Sequence, residues 1–244
     1  MKTKMPKTVP SRKASHRFLF RKILSGNRWI DLLIEMLVIF LSITLSFAFN
    51  EWQEKRKNRA TEVFYLKQIR QNLESDIQEL QTDINYYRDL GRAYAFYRKY
   101  DLKETTYTDS LVFYHRFFFY EIEPSINNTG YEVLRNTGKL DIITDKILLN
   151  KLLETYEKKL PSLQKIIEIY LQYKREILIP YLIKHFVSID WQSGKSNLPA
   201  LVKDPEFKNI YYHDQTPVVI ERYQILLKAY QDLASEIQKE IAEE

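Results

Sequence analysis

From Leu32 to Phe49 the chain reads LLIEMLVIFLSITLSFAF, an apolar run with a single charge at Glu35. Extended back to Ile30, it reaches the roughly 20 residues that a helix needs to cross a hydrocarbon core about 30 Å thick. Beyond this run the pattern changes period. Read every seventh residue, one position gives Leu66, Leu73, Leu80, Tyr87 and Tyr94, and a companion position gives Val63, Arg70, Ile77, Ile84 and Gly91. That spacing predicts the inward face of a bundle or coiled-coil helix, blemished at Arg70. No Gly or Pro lies between Arg28 and Gly91, so nothing forces the helix to stop at a membrane surface. The pattern predicts a transmembrane helix over 29–52, continuing as a stalk and bundle helix over 53–98 within an α-helical extracytoplasmic domain over 53–244.

The rest of the chain carries helical periods separated by turn signals. Tyr107 to Tyr120 is densely aromatic, which predicts rings filling a helical core. Glu123 to Thr129 is a loop by composition, and a short helix over Tyr131–Asn136 should close at Gly138 through a left-handed residue. Thr144 or Asp145 can cap a helix that buries Ile147, Leu148, Leu152 and Tyr156. Pro161 marks a first turn or a kink, after which Leu163, Ile166, Ile167, Tyr170, Tyr173 and Ile177 continue the apolar face. Asp190 to Pro205 is the longest irregular stretch. A final helix starts at Thr216-Pro217 and repeats Val219, Tyr223, Leu226, Tyr230, Leu233, Ile237 and Ile241, a face suited to the Leu66–Tyr94 seam. The expected fold is all-α: an antiparallel helical bundle hung on one N-terminal anchor.

Charge gives that anchor a direction. Of 37 Lys/Arg and 32 Asp/Glu, residues 1–31 hold nine and one, so the remainder is mildly acidic despite the overall +5. Residues 1–28 form a basic tail, and the excess of cations before the span favours a cytoplasmic N-terminus and a translocated body. Lys55, Arg56, Lys57 and Arg59 beyond the span weaken the contrast. Trp29 and Trp52 bracket the span at headgroup spacing. A cleaved signal peptide, with Ser46-Phe47-Ala48 as its site, and a mitochondrial inner-membrane protein are the alternatives. In the tail, Phe18, Leu19, Phe20, Ile23 and Leu24 alternate with Arg17, Arg21 and Lys22, which suits an anionic leaflet or a solvated tail. A body without a basic face does not suit nucleic acid, and the absence of cysteine excludes disulfides and thiolate sites.

Little in the sequence carries chemistry. Glu35, Ser42 and Ser46 share one stripe of the membrane helix, a pattern that mediates helix association in lipid and raises a homo-oligomer or a membrane-protein partner. For Glu35 the plainer reading is a carboxylate snorkelling towards Arg28 and water. His115, His185 and His213 are far apart and lack spaced ligand partners, and no zinc-protease, hydrolase, Walker or dinucleotide pattern occurs. No catalytic, cofactor-binding or metal residue is expected, and no enzyme. Asn127-Asn128-Thr129 fits a glycosylation sequon, a weak signal.

Two stretches carry a resemblance. Asn50-Glu51-Trp52-Gln53-Glu54 with Arg56, and Thr129-Gly130-Tyr131-Glu132-Val133-Leu134 followed by Thr137-Gly138-Lys139-Leu140, Ile143-Thr144-Asp145 and Leu152–Tyr156, resemble a family of single-pass bacterial membrane proteins known only as a domain of unknown function. The similarity covers roughly residues 30 to 160. It implies an N-terminal anchor and an α-helical body at a bacterial inner membrane, and no activity. The leading functional expectation is a protein-interaction or scaffold module held at that membrane. The alternative is an extracytoplasmic ligand-sensing bundle acting through a partner.

Overall fold

A computed structural model describes residues 28–99, 109–186 and 197–242. Residues 1–27 of the basic tail, the start of the aromatic run at Tyr107 and residues 190–196 of the Asp190–Pro205 stretch lie outside them. Every regular element among the described residues is helical. The chain divides into two units, with the boundary between Lys57 and Asn58.

Helix α1 is a single helix, Arg28–Lys99. In the first unit every residue from Leu32 to Phe49 is exposed. In the second unit Leu66, Leu73, Leu80, Tyr87 and Tyr94 are fully buried, with Val63 and Ile84 beside them. Arg70 sits half-buried beside Glu74. A third stripe is buried as well, again at every seventh residue: Glu62, Ile69, Asp76, Asp83, Leu90 and Tyr97. Three stripes make a face wider than a two-stripe coiled-coil seam, because α1 is covered by several neighbours rather than one.

Those neighbours come in alternating directions. After α2 (Asp109–His115) and a 3₁₀ turn (Arg116–Phe118), the chain runs back along α1 as an extended strap, residues 119–128, and then as α3 (Thr129–Asn136). The contacts give the direction: Tyr86 meets Phe117, Tyr87 meets Ile122, Asp76 meets Asn127 and Glu62 meets Thr144. Gly138, at φ +66°, closes α3 in the left-handed conformation expected of it. The Asp145 carboxylate accepts the Ile147 N–H at 2.7 Å and caps α4 (Lys146–Glu154), so Asp145 is the cap residue.

Helices α4, α5 (Leu160–Tyr173) and α6 (Ile179–His185) are joined by two π-helical turns, Thr155–Lys159 and Lys174–Leu178. Each wide turn stands just ahead of a proline, Pro161 or Pro180, at the start of the next segment. A proline lacks the N–H for its i−4 carbonyl and its ring crowds that carbonyl, so a widened turn accommodates it without ending the rod. Leu148, Leu152, Tyr156, Leu163, Ile167 and Tyr170 face the core as expected, but Ile147 and Ile177 are exposed. Ile147 lies in the first turn after the cap and Ile177 lies in the second π turn, where the added residue shifts the face.

The rod runs parallel to α1, with Thr144 at Glu62 and Tyr170 at Tyr87. The irregular stretch contains a short helix, α7 (Leu198–Leu201), and leads to α8 (Pro205–Tyr212). Helix α9 (Thr216–Ala242) then returns antiparallel to α1: Asp214 pairs with Arg98, Tyr223 packs on Tyr87, and Glu240 pairs with Arg59. Its predicted face is buried from Val219 to Ile237, with Ile241 packed at the edge. The result is the expected all-α antiparallel bundle, with the strap in the place of a fourth helix.

Backbones approach closely in that arrangement at Gly130. A Cβ there would lie 3.1 Å from Ile69 Cγ1 and 3.2 Å from the Ile69 backbone nitrogen. Gly130→Ala should therefore lower stability by about 1–3 kcal/mol, the usual cost of overpacking, measured as a reduced midpoint in chemical denaturation.

Candidate functional site

The surface that departs most from an ordinary globular protein is the apolar part of α1. Trp29 and Trp52, 76% and 54% exposed, stand at its two ends with Leu33, Phe40 and Phe47 exposed between them. Glu35, Ser42 and Ser46 are all exposed. The Ser42 hydroxyl donates to the Val38 carbonyl at 2.7 Å, so the helix itself satisfies it. The Arg56 guanidinium lies 5.6 Å from the Trp52 ring. This is the one described helix long and apolar enough to cross a membrane.

In the second unit, polar function is concentrated where the strap crosses α1. An extended segment with no strand partner leaves backbone groups that need hydrogen bonds. Side chains supply them. The Tyr86 hydroxyl donates to the Phe117 carbonyl at 3.0 Å and the Tyr120 carbonyl at 2.7 Å, and the Tyr87 hydroxyl donates to the Ile122 carbonyl at 2.8 Å. From the acceptor side, Glu79 takes the Ser125 N–H at 3.2 Å and Asp76 takes the Asn127 N–H on both oxygens at 3.1 Å. Further along, Glu62 accepts the Thr144 N–H at 2.8 Å while held by Arg59 at 2.9 Å.

Lys174 completes this set. It opens the second π turn, is fully buried, and its Nζ donates to the Tyr120 carbonyl. Burial pulls its ammonium down to about 8, partly opposed by Glu121. On the surface of the same crossing, Arg175 bridges Glu121 at 2.6 Å and Glu123 at 3.0 Å. An open groove of about 450 Å³ lies here, between Glu123 and Pro124 of the strap and Pro161, Ile167, Leu171 and Arg175 of the rod.

The aromatic run has divided roles. Phe117 and Phe118 are buried, whereas Phe113, Phe119 and Tyr120 are exposed. Phe118 packs on Tyr94 and Tyr97, so these rings fill the end of the bundle. His115 is buried against Phe186 at 4.3 Å, with the Tyr97 hydroxyl 3.4 Å from Nδ1. Burial holds its pKa down to about 4, which keeps the ring neutral. His185 stacks on Tyr181 and His213 lies against Tyr173, so each histidine has its own aromatic neighbour. No group of three His, Asp or Glu among the described residues has the geometry of a metal site.

Lys174 and the buried acids of α1 were not singled out by periodicity, although the acids had a signal: Glu62, Asp76 and Asp83 share a position of the heptad frame directly beside the apolar seam. The chain matches no family model, no curated protein and no solved structure.

Because Lys174 binds its proton more weakly folded than unfolded, its contribution to stability rises with pH through about 8 towards its ordinary value of 10.5. Burial raises the pKa of Tyr87, Tyr223 and Tyr230, so stability should fall again above about pH 10 as the unfolded tyrosines ionise. Lys174→Met should remove the rise between pH 8 and 10 and leave the fall. Denaturation midpoints across that range provide the check; a wild-type profile unchanged by the substitution contradicts it.

Proposed function

We propose that the protein is a single-pass membrane protein whose helical body serves as a protein-interaction or scaffold module at a bacterial inner membrane, with the N-terminus cytoplasmic and the body periplasmic. One observation carries the anchor: the side chains from Leu32 to Phe49 are all exposed, while the apolar residues of the same helix from Leu66 onward are buried. So long an apolar surface is unfavourable in water and matches the thickness of a bilayer core. The cationic excess of residues 1–31 supports the orientation.

The interaction role is supported by what the body presents. Of its buried polar groups Asp76 and Lys174 hold the strap and Glu62 holds Thr144, and His115, His185 and His213 are each packed against a ring. Within the anchor, Glu35 is the polar group with the greatest demand for a partner in lipid, because Ser42 is satisfied by Val38.

Topology reporters fused after residues 25, 60 and 244 test the anchor. The first should report the cytoplasm and the other two the periplasm, with the full chain retained in alkali-washed membranes. Release of the full chain by alkali contradicts the anchor, and a cytoplasmic signal at 60 contradicts the orientation. Crosslinking in native membranes tests the interaction: a crosslinked species weakened by Glu35→Leu is expected, and a chain that forms no adduct contradicts it.

A further inference from the structure

Two buried acids of α1, Asp76 and Asp83, have the half-buried Glu79 between them on the same helix. Asp76 is 2% exposed and Asp83 6%. Buried carboxylates ordinarily have a cation or several donors, since burying an unpaired charge is costly. Here the surroundings are aromatic. Asp76 faces the Asn127 N–H of the strap, Tyr156 of the first π turn, Tyr230 of α9 and Glu79 of its own helix. Asp83 faces Tyr223 of α9, and Tyr87 and Glu79 of its own helix. Its Oδ2 has no hydrogen-bond partner of ordinary geometry. Among the described residues no Lys, Arg or His pairs with any of the three. The nearest neighbour in charge is another acid, which adds repulsion to desolvation.

We propose that this cation-free column, set where α1 meets the strap, the rod and α9, is a proton-operated latch: Asp76 and Asp83 take up protons from solvent on mild acidification, and the bundle tightens. A protonated Asp83 becomes a donor as well as an acceptor, so its carboxyl and the Tyr223 hydroxyl can pair in either sense. A protonated Asp76 keeps a carbonyl oxygen for the Asn127 N–H, so the strap stays attached while the buried charge disappears. Desolvation pushes both carboxyls up to about 6, from an ordinary value of 3.8. At these two sites the folded state therefore holds protons that the unfolded state has released, and their contribution to stability rises as pH falls through about 6 towards 4. That is opposite to ordinary acid denaturation. His115 acts in the opposite sense to the two aspartates, because burial holds its pKa down to about 4 and only the unfolded imidazole takes up a proton below its ordinary 6.5. Carboxylates whose pKa is lowered, such as Glu51 and Glu154, give up their contribution only below the usual carboxylate range, outside this window.

The test is thermal unfolding of the full-length protein in detergent micelles, followed by circular dichroism between pH 7.5 and 5.5. In a His115→Gln background, which removes that opposing site, the Tm should rise by about 3–8 °C on going to pH 5.5. Asp83→Asn should have the higher Tm at pH 7.5 and converge with wild type at pH 5.5, and Asp76→Asn should likewise have the flatter profile. A Tm of His115→Gln that is flat or falls on acidification, or aspartate-variant offsets from wild type that are the same at both pH values, overturns the latch. The His115→Gln profile decides the matter if an aspartate substitution prevents folding, and the pH-dependence of the offset between wild type and an aspartate variant decides it if His115→Gln does.

Discussion

The bundle depends on α1 supplying hydrogen bonds to a piece of chain that has no secondary structure of its own. Helices α1 and α4 run in the same direction, so the connection between them must travel back along the bundle. It does so partly as an extended strap, whose backbone donors and acceptors find no neighbouring strand. Tyr86, Tyr87 and Lys174 bond its carbonyls, and Asp76 and Glu79 bond its N–H groups. Leaving such groups unpaired in a buried crossing would cost on the order of 1–3 kcal/mol each. The polar residues inside this core are therefore part of its construction.

The same requirement explains the chemistry of the interior. Tyrosine brings a large apolar ring and a hydroxyl that reaches a backbone carbonyl, which suits a core where helices meet an extended segment. Tyr87 shows the combination: its ring packs on Tyr170 and Tyr223 while its hydroxyl holds Ile122. Charged groups drawn in for the same purpose carry a desolvation penalty. That penalty displaces the titration of Asp76 and Lys174 towards neutrality and makes the body responsive to pH from both sides.

Much of this was legible in the sequence, and the unread part has a physical pattern. The two apolar stripes of α1, the face of α9, the Asp145 cap and the Gly138 closure follow from periodicity and backbone chemistry, and all are present. The Glu62–Asp76–Asp83 stripe was hidden because charged residues read as solvated until a neighbour claims them. Its phase beside the Leu66–Tyr94 seam was the available signal. Ile147 and Ile177 mislead because one lies in a capped first turn and the other in a π turn, neither of which a fixed 3.6-residue period can represent. Lys174 could not be found from spacing, since only the returning strap gives it a partner.

The two parts of α1 differ in what they present. Its first part is an exposed apolar surface, and its later part offers the strap a ladder of tyrosines and acids. Amide hydrogen exchange of the full-length protein measures that ladder most directly. If α1 side chains hold the strap, the Asn127 amide exchanges as slowly as amides in the middle of α9, and replacing Asp76 by alanine releases it selectively. Free exchange at Asn127 in the wild-type protein, with α1 and α9 still protected, would contradict the account.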